Sequence, residues 1–131
     1  MMNIQTIAKT LGETGCYFIC LLRLVFKEND ALLLYRQALQ LKIIDRDCYV
    51  KDPEKLLSLA AGGKWSVKHG NLEANGEFEI VRYERKTPAG LLAHFVVGDG
   101  KGGIAYDPLD SSFTVSLGKP VSKRLVERVS G

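Results

Sequence analysis

The hydrophobic period changes once along this chain, from helical spacing in the first half to alternation in the second, and that change restricts the folds open to it. Cys16 to Phe26 is apolar except for Arg23, which predicts a helix buried on every side, with Thr14 as its cap. Behind Asn29 and Asp30, two good caps, Ala31, Leu34, Tyr35, Ala38 and Leu41 recur at helical spacing. Asp52-Pro53 opens a third helix, because aspartate caps and proline suits a first helical position; Gly62-Gly63 closes it.

From there the pattern is that of strands. Trp65 to His69 and Phe78 to Tyr83 read as two, the second just after an Asn75-Gly76 turn. Leu91 to Val97 and Ile104 to Tyr106 read as a hairpin around the glycine-rich turn 98–103. Thr114-Val115 and Val121 to Val129 are predicted as two more strands. Helices first and an antiparallel sheet second make an α+β layout, with the helices packed on the sheet. The 131 residues suffice for one core, so residues 1–131 are read as a single domain.

Composition narrows the function classes. Eighteen basic and 15 acidic residues leave a net charge of +3, too balanced for a nucleic-acid binder. Lys119, Lys123, Arg124 and Arg128 near the end, with the single Glu127, read as a solvated strand face. The 16–26 run falls short of the roughly 18 residues that cross a bilayer. Only Lys9 precedes it and no small-residue cleavage site follows, so neither a membrane nor a secretory signal is expected. Three cysteines cannot all pair, and reduced thiols in a cytoplasm are the simpler expectation. Their spacing with the histidines fits no zinc pattern, and no metal or cofactor is implied.

The cysteines differ in prospects. Cys16 stands at a helix start, where unpaired N–H groups and the helix dipole favour negative charge and hence the reactive thiolate. Gly15 beside it lets a substrate backbone approach. Free cysteines are also common as small core residues, so position alone leaves both readings open. Cys20, one turn on, belongs to the core, and Cys48 has no evident task. Residues four apart on a helix hold their Cβ atoms ~5–6 Å apart, too far for a comfortable Cys16–Cys20 disulfide.

The two histidines differ as well. His69 reads as a surface residue, whereas His94 lies inside Leu-Leu-Ala-His-Phe-Val-Val, where a polar ring needs a reason. A turn centred between Gly100 and Lys101 sets His94 directly opposite Asp107, with Cβ atoms ~4.5–5.5 Å apart. A carboxylate there would hold one ring nitrogen and leave the other to take a proton. Nucleophile, base and orienter are then Cys16, His94 and Asp107, expected to converge at one solvent-reachable notch.

Gly15-Cys16-Tyr17-Phe18, His94-Phe95-Val96-Val97 and Tyr106-Asp107-Pro108, in that order, resemble the papain-like cysteine peptidase superfamily. Within it they look most like the compact bacteriocin-leader-processing peptidase domains and small phage and prophage relatives. The resemblance implies a papain-like fold, a Cys-His-Asp hydrolase of peptide or amide bonds, a peptide or protein substrate, and a bacterial or phage-encoded cytoplasmic protein. It also implies an oxyanion-stabilising glutamine about six residues before the nucleophile. Thr10 occupies that position, and Gln5 is the only upstream glutamine. This departure keeps a second class open, a catalytically inactive papain-like scaffold that binds a phage or bacterial protein.

Overall fold

A computed structural model describes residues 16–25, 31–45, 49–108 and 113–130. Three helices come first, α1 (Cys16–Val25), α2 (Ala31–Gln40) and α3 (Pro53–Ala61). Strands β1 (Lys64–Gly70), β2 (Phe78–Thr87), β3 (Gly90–Gly98) and β4 (Ile104–Tyr106) follow, then a short helix α4 (Phe113–Leu117) and strand β5 (Lys119–Ser130). The layout is α+β. Thr14, Phe26, Asn29 and Asp30, proposed above as helix ends, lie outside the described residues.

The boundaries of α3 follow from its ends. Asp52 Oδ1 accepts the Lys55 N–H at 3.1 Å, Pro53 fills the first turn, and Gly62 stops the helix with φ at 74°. Glu54 ties this helix to the sheet by accepting the Val67 N–H at 2.9 Å. In α1, Phe18, Ile19, Cys20, Leu21 and Leu22 are all enclosed, Tyr17 and Leu24 are half-buried, and Arg23 is exposed, over the Tyr106 ring. Each large apolar side chain so enclosed contributes roughly 1.5–3 kcal/mol. That helix is the centre of the core.

The five strands form one antiparallel sheet in the order β1-β5-β2-β3-β4. Its register sorts side chains by face, because directly paired residues share a side and neighbours along a strand alternate. Phe78, Ile80, Phe95, Val97 and Val126 share one face and join the core cluster with α1, α2 and α3. The other face carries Val81, His94 and Val96 with the buried ion pair Lys123 Nζ–Glu79 Oε1 at 2.9 Å. Lys123 also donates to Ala74 O, and Glu79 accepts the Gly100 N–H. A Cβ at Gly98 would overlap the Glu79 carboxylate, so glycine is required for this approach.

Three expectations are corrected. Residues 114–115 are helical, within α4, because this five-residue segment packs against β2, β3 and β5 rather than pairing with a neighbour. The terminal basic residues are not one solvated face. Lys123 is buried against Glu79 and Arg124 is half-buried over the Phe95 ring, while Arg128 is exposed and stacks on Trp65. The β3–β4 register is also different: Val97 pairs with Tyr106 and Gly98 with Ile104, across a bulge.

Candidate active site

At Tyr106, beyond the bulge, the pairing is offset by two residues from the expected one, and that preserves the side. Extended past Tyr106, the observed pairing puts Asp107 beside Val96, diagonal to His94 on the same face, within reach of longer side chains. The contact itself is close. His94 Nε2 lies 2.6 Å from Asp107 Oδ1, and since a carboxylate only accepts, Nε2–H is the donor. His94 is fully buried, and its Nδ1 is buried without a hydrogen-bond partner. Tyr83 stands directly across the β2–β3 pair from His94, a neighbour no sequence pattern pointed to.

Cys16 reaches this place from the other side of the strand edge. β4 pairs only with Val97 and Gly98, so the backbone of Phe95 is left off the ladder on that side. Two thiols satisfy it. The Phe95 N–H donates to Cys16 Sγ at 3.3 Å, and the Cys20 thiol donates to Phe95 O at 3.4 Å. The residue next to His94 is thereby fixed against the first turn of α1. Both cysteines are buried.

The electrostatics follow from this packing. Burial alone pulls the His94 pKa down, but the hydrogen bond to Asp107 and the neighbouring Cys16 outweigh it, and the ring is pushed up to about 9. Burial, reinforced by Cys16 and Asp107, pushes the Cys20 thiol well above its usual value, which suits its role as core. Burial and Asp107 also raise Tyr83. Asp107 and Cys16 thus both favour the protonated form of the His94 ring.

In one respect the expectation fails. Cys16 is 1% exposed and His94 0%, so the sulfur and the ring are closed to solvent instead of lining an open notch. Gln5, Thr10, Gly15 and Cys48 lie outside the described residues, as do Asp110, Ser111 and Ser112. His69 is exposed on β1, as its position suggested. Among the described residues no group of three or more His, Cys, Asp and Glu side chains is arranged to hold a metal ion, and no helix is long and apolar enough to cross a membrane.

No curated protein and no solved structure matches the chain significantly. A family model does, over residues 2–128, and its description is a protein of unknown function, DUF261. Spanning nearly the whole chain, helical half and sheet together, that match makes this protein a member of the DUF261 family.

Proposed function

We propose that this protein is a papain-like thiol hydrolase acting on a peptide or amide bond, with Cys16 as nucleophile, His94 as acid and base, and Asp107 as the group that orients the ring. The supporting observation is the 2.6 Å contact from His94 Nε2 to Asp107, which leaves Nδ1 as the unpartnered ring atom on an imidazole that also senses Cys16. In this reading the Cys16 thiolate attacks the carbonyl carbon, an S–C bond forms, and the carbonyl π electrons move to oxygen. The imidazolium of His94 gives its proton to the leaving amine as the C–N bond breaks. Water, deprotonated by the now neutral ring, then cleaves the thioester and returns the thiol. The Cys16 backbone N–H supplies one oxyanion donor and Gln5 a second. The chemistry needs a reduced sulfur, and the setting proposed with it is a reducing bacterial cytoplasm, of a cell or of a phage host.

One observation favours the rival reading. The burial of both sulfur and imidazole suits a papain-like scaffold that binds a protein partner and no longer turns over substrate. Thiol labelling separates the two. In the hydrolase, iodoacetamide near pH 6 should alkylate Cys16 at least tenfold faster than Cys20, since only Cys16 shares a charged imidazole and a helix start. His94→Ala should abolish that advantage while circular dichroism shows the fold intact. Labelling of Cys16 as slow as that of Cys20 decides for the scaffold.

A further inference from the structure

Beside α1, on the sheet face opposite the one His94 projects from, lies a cleft of about 540 Å³. Its lining combines three potential cations, Lys51, His69 and Arg124, with the aromatic rings of Tyr17, Tyr49 and Phe95. The remainder is apolar, including Leu91 and Leu92, and no carboxylate is among the described residues that line it. Such a site is basic and greasy at once.

Arg124 is its focus. The guanidinium is half-buried, rests 5.5 Å from the Phe95 ring centroid and sits beside Arg82, which it meets with like charge. Its bonds are to neutral oxygens, from Nη1 to Ser122 Oγ at 3.0 Å and Lys123 O at 3.5 Å. It has no carboxylate partner among the described residues, although Arg82 has Glu84 and Lys123 has Glu79. A partly desolvated cation is costly without an anion, and a guanidinium fork fits a carboxylate best. Tyr17 and Phe95, tilted against each other with ring centroids 4.8 Å apart, wall the cleft next to it.

We infer that this cleft binds a carboxylate-bearing peptide segment with apolar neighbours, the carboxylate seated on Arg124 and the flanking side chains against Phe95, Leu91 and Leu92. A nucleic acid fits less well, since the cations surround one pocket and do not track a backbone. The inference stands whether or not Cys16 is reactive, because it concerns binding alone. The cleft nevertheless shares Phe95 with the cysteine, whose sulfur accepts that residue's N–H. A segment held here would lie alongside the first turn of α1.

The test is isothermal titration of the full chain with blocked pentapeptides. Acetyl-Ala-Leu-Glu-Leu-Ala-amide is compared with its glutamine counterpart and with the glutamine peptide carrying a free C-terminal carboxylate. At least one carboxylate peptide should bind about tenfold or more tightly than the blocked glutamine one, and which of the two does so identifies the carboxylate that is read. The preference should vanish in Arg124→Gln and weaken in 0.5 M salt. If Arg124→Gln does not fold, Lys51→Gln, an exposed site at the rim, should still cost severalfold. Equal binding of all three peptides, a preference that survives both variants, or tighter binding of a single-stranded oligonucleotide overturns the inference.

Discussion

Asp107→Ala is expected to lower both stability and any hydrolytic rate more than any surface change. It strips the partner from a fully buried imidazole held at 2.6 Å, and breaking a buried pair from one side typically costs about 3–5 kcal/mol. For a domain of this size that is a fall of roughly 10 °C or more in melting temperature. Turnover, if Cys16 is the nucleophile, should drop by ~10³–10⁴, because the ring loses the group that fixes its tautomer. The pH dependence carries the sign. With the ring pushed up to about 9, its stabilising charge is fully present below about 6.5 and fades as pH rises through 9. Without Asp107, burial dominates and protonation works against folding. Urea titrations of wild type and variant should therefore differ most at pH 6 and converge by pH 9.5. An equal gap at both values would mean that His94 is neutral in the folded protein.

Lys123→Met should be nearly as damaging, for a reason remote from Cys16. It leaves the Glu79 carboxylate enclosed beneath the 98–103 turn with the Gly100 N–H as its one remaining partner among the described residues, again a loss of about 3–5 kcal/mol. Removing both charges, as Glu79→Leu with Lys123→Met, should recover most of that loss, since no ion is then left without its partner. Chemical denaturation of the two single variants and the double one measures the coupling. A neutral Lys123→Met would show that water reaches Glu79.

Much of this architecture was readable from residue order because local signals and global packing agree. Asp52, Pro53 and Gly62 carry the physics of a helix's two ends within themselves, and α3 runs between them. The segment at 113–117 does not: Phe, Thr and Val favour a strand, and only the neighbouring strands decide for a helix. The hairpin was placed but its register was not. Six residues from Gly98 to Gly103, four of them glycine, leave a turn's centre undefined; Asp99 sets it by accepting from the N–H groups of Lys101 and Gly103. His94 and Asp107 were nonetheless matched, because a slip of two keeps the side. Closure of the site was illegible, as solvent access depends on what the rest of the chain lays over it. So was Arg124, whose partial burial comes from the rings of Tyr17 and Phe95, distant in sequence.

The strand order has a consequence for how the molecule comes into being. β5, the last strand, lies between β1 and β2, and among the described residues β1 has no other partner. On a ribosome, β1 must wait some fifty residues for its neighbour, and β2 keeps one bare edge until the same moment. Assembly of the sheet is thus a late, concerted event, and a chain cut short before Lys119 would leave β1 unpaired and that β2 edge open to pairing with other chains.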